Sequence, residues 1–487
     1  MKKTRASKII PIQPVSGHSV DSGADDVLAV FDGQIKVYPR AVTGLFARLR
    51  WIMVWVTQLV FFGVPWLQWN GRQAVLFHLD DSRFYIFGLV LHPQDLIFLA
   101  VLMVLAALML FFFTAVAGRL WCGYACPQTV YTELYLWMER ITEGDRLKRM
   151  RLDAAPWRAE KVARKSAKQL LWIGFGLCTG FTFVGYFTPI HELVDELTTL
   201  SFSAWEWFWV LFYGLATYGN AGYLREQICK QMCPYARIQG ALTDMDSMVI
   251  AYDTQRGEAR GSRARTADPK ALGLGDCIDC TLCVQVCPTG IDIRNGLQNE
   301  CIACAACIDV CDQVMEKMNY PKGLIRYSSG KGIAEKLTRQ QMVKRVWRPR
   351  VWVYSVLLLV ASTVFVGGLS TRKGFAVDVI RDRGTMAREV GNGDIENIYR
   401  LKIMNSTEHD LTYITRVEGL PGLQLVTAPQ VTVPATGIGS LTVRLLLSAH
   451  DAQAYRGKAS AIEFKIKSTR DGEKVEVEEK STFVVPR

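Results

Sequence analysis

Histidine is scarce in this chain: there are six in 487 residues, and none lies within the apolar runs near 51–68, 95–117, 169–187, 206–224 and 351–369. A haem held between two membrane histidines is therefore excluded as the redox centre of a helical bundle. Cysteine is missing after Cys311, so the C-terminal part cannot owe its stability to a disulfide framework. Lysine and arginine are missing from "TPIHELVDELTTLSFSA", residues 188–204. About fifty mixed residues precede the first apolar run, so the amino terminus lacks the charged region and prompt apolar stretch of a cleaved signal peptide. The net charge is +11, but no stacking-aromatic or groove-reading motif accompanies it, which excludes nucleic acid as a partner.

What is present is composite. Half of the residues are hydrophobic and 21% are charged, too apolar for a soluble enzyme and too charged for a bare membrane bundle. About nineteen residues at roughly 1.5 Å rise cross a roughly 30 Å hydrocarbon core, so the five apolar runs are expected to be transmembrane helices. Basic residues set the orientation. Eight fall in residues 1–50 and eleven in 118–168, including "RLKRMRL" at 146–152, whereas the loop 69–94 has only Arg72 and Arg83. The alternation predicts a cytoplasmic amino-terminal tail over 1–50, four spans over 51–224, a cytoplasmic segment over 225–350, a fifth span over 351–369 and an outer domain over 370–487. That last part reads as alternating runs, "IYRLKIM", "LTYITRV", "QVTVP", "SLTVRLLL", "AIEFKIKS" and "KVEVEEKSTFVV", parted by turn residues such as Asp471-Gly472. It predicts a small immunoglobulin-like β-sandwich of about one hundred residues, in which the sequon Asn405-Ser406-Thr407 is a polar hairpin patch.

The chemistry is concentrated in cysteine. Residues 277–311, "CIDCTLCVQVCPTGIDIRNGLQNECIACAACIDVC", hold two copies of C-x-x-C-x-x-C-x-x-x-C. This doubled spacing matches the bacterial ferredoxin pattern of two cubane 4Fe-4S clusters, here in a domain of about 268–320. In that pattern the fourth cysteine of each run crosses to the other cluster. Cys277, Cys280, Cys283 and Cys311 would then hold the first cluster, with Cys301, Cys304, Cys307 and Cys287 holding the second. Pro288 follows Cys287 as the pattern expects, and Asp312 stands where a second proline would follow Cys311. Structural zinc normally uses four ligands in separated pairs, and a cytoplasmic loop is too reducing for disulfides.

Two further groups, "WCGYACPQTVY" from Trp121 and "CKQMCPYA" from Cys229, place C-x-x-x-C-P where the second and fourth runs end. If each group is helical, cysteines four apart share a face with β-carbons about 5–6 Å apart, farther than a disulfide's roughly 4 Å. If Pro127 and Pro234 instead start new helices, Cys126 and Cys233 lie at helix amino ends where the dipole favours thiolate. Either way Cys122, Cys126, Cys229 and Cys233 can converge on one face as soft ligands, for copper or for a further iron-sulfur cluster. The plain alternative is interfacial packing, which the duplicated spacing with proline disfavours. Cys178 stands alone and reads as a packing residue. His78, His92 and His191 fall on the outer side, where polar contacts are their commoner fate than metal ligation. Trp51, Trp55, Trp66, Trp69, Trp205 and Trp207 read as an aromatic belt, and the methionines of "VLMVLAALML" as helix or lipid packing.

Five spans, two C-x-x-x-C-P groups, a double ferredoxin insert after the fourth span and an outer β-sandwich together resemble the FixG/RdxA/CcoG family of cytochrome c oxidase accessory proteins, over nearly the whole chain. The resemblance implies a multi-pass protein of the bacterial inner membrane with its C-terminal domain in the periplasm. It also implies reduction of Cu(II) to Cu(I) for assembly of a cbb-type cytochrome c oxidase. The implied partners are the lipid bilayer, oxidase-assembly and copper-delivery proteins, and a cytoplasmic electron donor. Two alternatives stand beside it: a quinol-linked ferredoxin carrier resembling the NapH type, against which the C-terminal sandwich speaks, and a non-enzymatic assembly scaffold.

Overall fold

Uninterrupted apolar sequence must satisfy its backbone internally once it leaves water, and here it does so as helix. In the computed structural model, which describes residues 36–335, 337–382, 387–391, 393–469 and 476–486, four helices are long and apolar enough to cross a membrane. They are α1 (Leu45–Gly63, extended by a 3-10 turn to Trp66), α2 (Leu96–Ala117), α5 (Ala159–Val184) and α9 (Pro349–Ser370). Between α2 and α5 lie α3 (Leu120–Tyr124) and α4 (Pro127–Thr142). The first and third of these helices begin earlier than the apolar runs near 51 and 169, because helix-favouring charged residues such as Arg48, Arg50, Lys161 and Lys165 continue them. The fourth run forms α6 (Ala204–Gly219), whose 16 residues pass into π-turns at Asn220–Leu224 and Ile228–Met232. The α part alone is shorter than a roughly 30 Å core at roughly 1.5 Å per residue, and the five-residue π-turn Asn220–Leu224 continues it without a break.

The chain divides into two units. One comprises Met1–Gly63, Val104–Val184 and Glu196–Val360. Besides α1 and α3 to α6 it contains α7 (Pro234–Leu242) and α8 (Ala306–Met318). Strands Val249–Tyr252 and Ile325–Ser328 pair antiparallel, Ile250 opposite Tyr327, so the ferredoxin fold is wider than the cysteine-bearing stretch and is closed by residues on both flanks. Ile250, Ile293, Ile308, Met315, Leu324 and Ile325 form its core together with Cys277 and Cys283.

The other unit comprises Val64–Met103, Gly185–Asp195 and Ala361–Arg487. The stretch 69–94, expected as plain loop, contains an antiparallel sheet of Val75–His78, Arg83–Ile86 and Leu89–Leu91, and a helix fills Ile190–Thr199. The sandwich strands are β1 (Phe375–Arg381), β2 (Arg388–Val390), β3 (Asp394–Asn405), β4 (Leu411–Glu418), β5 (Gln424–Leu425), β6 (Gln430–Val433), β7 (Ile438–Leu447), β8 (Ala459–Thr469) and β9 (Glu476–Val484). One sheet runs β5-β7-β3-β1 with β2 also on β3, and the other runs β6-β4-β8-β9. Period-2 alternation places Tyr399, Leu401 and Ile403 of β3 opposite Tyr413 of β4 and Phe464 of β8 in one core without cysteine. Asp471-Gly472 lies outside the described residues. Asn405 is fully buried and donates its amide to the carbonyls of His409 and Pro434, which leaves the sequon no free acceptor nitrogen.

Candidate metal centres

The two ferredoxin runs share one backbone device. The residues flanking the second cysteine of each run have positive φ, 52° at Asp279 and 55° at Thr281 in the first, 55° at Ala303 and 60° at Ala305 in the second. Side-chain-bearing residues rarely adopt this conformation, and strain of this kind persists where surroundings over-determine it, commonly at ligand sites. Alternation of left- and right-handed residues turns successive N–H groups to one side and makes a concave cradle for negative charge. The sequence repeat is thus a structural repeat.

The cysteines sort into two cradles. Cys277, Cys280, Cys283 and Cys311 line one cavity with Tyr252, Leu324 and Ile325, enclosing about 370 Å³ of atom-free space that is partly open. Cys287, Cys301, Cys304 and Cys307 line the other with Ile250, Ile291 and Ile293, about 330 Å³, and Cys283 lines both. Each cradle therefore takes three cysteines from one run and the fourth from the other. Burial pushes the thiols of Cys283, Cys301 and Cys311 up to about 12. Left alone they would be neutral, and a cationic iron-sulfur core is the kind of partner that makes a buried thiol give up its proton. Hydrophobic walls, cradle-forming backbone and four sulfurs per cavity fit a cubane cluster in each.

The C-x-x-x-C-P groups take the second of the two geometries open to them. Cys126 caps α4, which starts at Pro127, and Cys233 caps α7, which starts at Pro234, both in extended conformation. Cys122 lies on α3, and Cys229 lies in the π-turn Ile228–Met232. Burial raises the Cys126 thiol although the amides of Gln128 and Thr129 pull the other way, and burial pushes Cys122 to about 12 and Cys229 to about 11. Cys122 and Cys229 pack against one apolar cluster, Val286, Ile302, Cys304, Ala306 and Val310. Among the described residues, no three His, Cys, Asp or Glu side chains close around a single ion.

A reciprocal clasp joins the two groups. Gln128, just after Cys126-Pro127, donates to the carbonyls of Asn220 at 2.9 Å and Arg225 at 3.2 Å, beside the π-turns leading to Cys229. Gln239, on the helix that Cys233 caps, donates to the Gly118 carbonyl at 2.8 Å, and its own oxygen faces the Cys122 thiol at 3.5 Å. Arg225 pairs with buried Glu139 of α4 at 2.8 Å, and Arg149 pairs with the same carboxylate at 2.5 Å.

The membrane groups and the second ferredoxin run adjoin. A Cβ on Gly123 would stand 2.8 Å from the Ile302 carbonyl oxygen, so only glycine allows this approach. Tyr327 donates to the Ala303 carbonyl at 2.7 Å, Arg50 to that of Cys304, and Arg119 to that of Asn299. Asp309, between Cys307 and Cys311, accepts the Ala47 amide at 2.7 Å and the Phe46 amide at 3.2 Å and so caps α1. A larger cavity, about 800 Å³ and partly open, reaches both Cys229 and Cys304 and is walled by Arg50, Arg140, Arg149 and Arg225. Cys178 joins neither site; it lies exposed on α5. His92 is buried against Ser406, and His191 meets Gln68 at 3.1 Å, each in a polar contact of the second unit. Sequence reading missed Arg119, Gly123, Gln128, Gln239 and Asp309; their one signal was proximity to a cysteine, and Arg119 was counted as topological charge.

Comparison with known proteins agrees with this division. The family described as "4Fe-4S dicluster domain" matches residues 224–330, "4Fe-4S binding domain" matches 99–143, and the immunoglobulin-like fold at the C-terminus of FixG matches 365–486. The chain is 36% identical over 434 residues to the nitrogen fixation protein FixG of Rhizobium meliloti, 83% of each chain. It is 37% identical over 425 residues to protein RdxA of Cereibacter sphaeroides, covering 85% of this chain and 89% of that one. Protein RdxB of the same organism is 36% identical over 411 residues, 82% of this chain and 86% of that one.

Proposed function

The chain belongs to the FixG/RdxA family, and on that premise we propose that this membrane iron-sulfur electron-transfer protein reduces Cu(II) to Cu(I) for assembly of a cbb-type cytochrome c oxidase. Copper is the substrate, and each ion takes one electron. In this reading Cys277, Cys280, Cys283 and Cys311 hold one 4Fe-4S cluster, and Cys287, Cys301, Cys304 and Cys307 hold a second. Bound cubanes supply one-electron storage at potentials set by hydrogen bonds, burial and nearby charge. The protein's own part is to exclude water with the isoleucine walls, to hold the cradle backbone, and to seat Asn299–Cys304 against the membrane cysteines. That seating carries the proposal, because it brings the two cysteine regions together over the Gly123 contact.

Cys122, Cys126, Cys229 and Cys233 are the exit side. A third cluster there is favoured over a resident copper ion, because the 4Fe-4S match at 99–143 includes Cys122 and Cys126. A cubane spreads its thiolates wider than a single ion does. The amino terminus is assigned to the cytoplasm and the sandwich to the periplasm of a bacterial inner membrane, supported by the basic-residue alternation. The electron donor is a cytoplasmic protein or small reductant, and the acceptors of Cu(I) are copper-delivery and oxidase-assembly proteins.

The test is Cys122→Ser with Cys126→Ser in the full-length chain. Membrane insertion and both ferredoxin signals in electron paramagnetic resonance should persist, while Cu(II) reduction by the dithionite-reduced protein is lost. Cu(II) reduction at the parental rate would overturn the assignment and bring quinol-linked transfer or a scaffold role forward.

A further inference from the structure

One cation fastens the loop that carries Cys301 and Cys304 to the membrane cysteine groups. Arg119 precedes α3, three residues before Cys122. Its guanidinium donates to the carbonyls of Asn299 and, at 3.5 Å, Cys301 on the ferredoxin side. On the other side it donates at 2.7 Å to the carbonyl of Ala236, two residues beyond Pro234. Holding three carbonyls needs only a forked donor, yet the sequence places a permanent charge here. That charge sits between the two sides, since Cys122 and Cys229 pack on the same apolar cluster as Cys304. The first cradle is lined by a different cation, Arg294.

We propose that Arg119 is the positioning residue for electron exchange between the second ferredoxin cradle and the membrane cysteines, fixing their separation and raising the reduction potential on both sides. This rests on the iron-sulfur reading of those cysteines. The exchange itself moves one electron, oxidising the donor side and reducing the acceptor side, with no bond or proton changing hands. A fixed positive charge at the gap favours the electron-rich state of whatever the sulfurs hold, and does so more strongly where water is excluded.

The experiment is a redox titration of the full-length protein, purified anaerobically in detergent and followed by electron paramagnetic resonance. Cys280→Ala and Cys304→Ala assign the signals of the first and second cradles, and if neither removes a distinct signal the cluster reading itself has failed. With the signals assigned, Arg119→Gln should weaken reduction at the second cradle about tenfold, a midpoint lower by about 59 mV for one electron, and leave the first unchanged. Arg119→Lys keeps the charge without the fork and should restore most of that midpoint. An unchanged midpoint at the second cradle in Arg119→Gln, equal shifts at both cradles, or failure of lysine to restore it would each overturn the proposal. The unchanged first signal serves as the control for folding.

Discussion

The ferredoxin segment and the C-terminal sandwich reach burial by opposite routes. In the sandwich Tyr399, Leu401, Tyr413, Val443, Phe464 and Phe483 are fully buried, all within one hydrocarbon core from two facing sheets. In the ferredoxin segment Cys277, Cys283 and Cys304 are among the buried residues, and the backbone around them is held at positive φ at Ala303 and Ala305. Apolar contact stabilises the first region by itself, at about 25 cal/mol per Å² removed from water. The second places sulfur where hydrocarbon would stand, so its stability depends on a partner for that sulfur.

The largest expected effect follows directly. Stripping iron with an oxidant and a chelator should open residues 277–311 to trypsin at Arg294 at least tenfold faster, while 375–484 stays resistant, as read by mass spectrometry of the fragments. Equal protection of both regions before and after stripping would erase the contrast between them.

The converse perturbation is Phe464→Ala. Phe464 packs on Tyr399 with ring centroids 5.1 Å apart, and truncating such a buried aromatic costs about 3–5 kcal/mol. Denaturant unfolding of the sandwich should shift by that amount, with both ferredoxin signals unaltered. A loss of signal would mean that the two regions do not stabilise themselves independently.

Much of this contrast was legible in the sequence, and the reason is local. Cysteine spacing prescribes a cluster because neighbouring ligands come from one short loop, and alternation prescribes a strand because its side chains change face at each residue. What could not be read joins distant segments. Arg119 and Asn299 are 180 residues apart and Asp309 and Ala47 are 262 apart, so no period or spacing connects them. The starts of the first and third helices lie ahead of the apolar runs for a related reason: Arg50 reads as flanking charge, yet it is buried within α1 and donates to the Cys304 carbonyl. The choice between one helix and a break at C-x-x-x-C-P stayed open because proline at the first helical position suits a new helix as well as the end of an old one. The reciprocal glutamines, Gln128 and Gln239, were invisible because each acts on the other group.

A smaller effect sharpens the comparison at the join between α1 and the ferredoxin segment. Asp309 carries the cap of α1, and a Cβ on Gly44 would run into that carboxylate. Asp309→Ala should cost about 0.5–2 kcal/mol, in the range of a lost helix cap. It should appear as faster hydrogen exchange at the Phe46 and Ala47 amides, with sandwich exchange unchanged. Unaltered exchange at these two amides would show that α1 does not depend on the ferredoxin segment for its start.

The smallest effect belongs to the second unit and concerns pH. His92 is 2% exposed, its Nδ1 lies 3.3 Å from the Ser406 hydroxyl, and its Nε2 has no partner among the described residues. Burial holds its pKa below the ordinary 6.5, and Arg372, Arg83 and Lys402 push the same way against Asp95, which favours the charged form. A histidine depressed in the folded state binds its proton more readily when unfolded. Its contribution to stability is therefore complete above pH 6.5 and is lost as the pH falls through the folded value. Acidification from pH 7.5 to 5 should lower the melting temperature of the unit that contains the sandwich, while His92→Gln, neutral throughout, should flatten that component. The Phe464→Ala protein should keep the same acid slope from a lower starting point, since hydrocarbon burial does not titrate. If His92→Gln and the parent lose stability in parallel, the acid sensitivity lies in the sandwich carboxylates, of which Glu396 between Arg388 and Arg444 is the most buried.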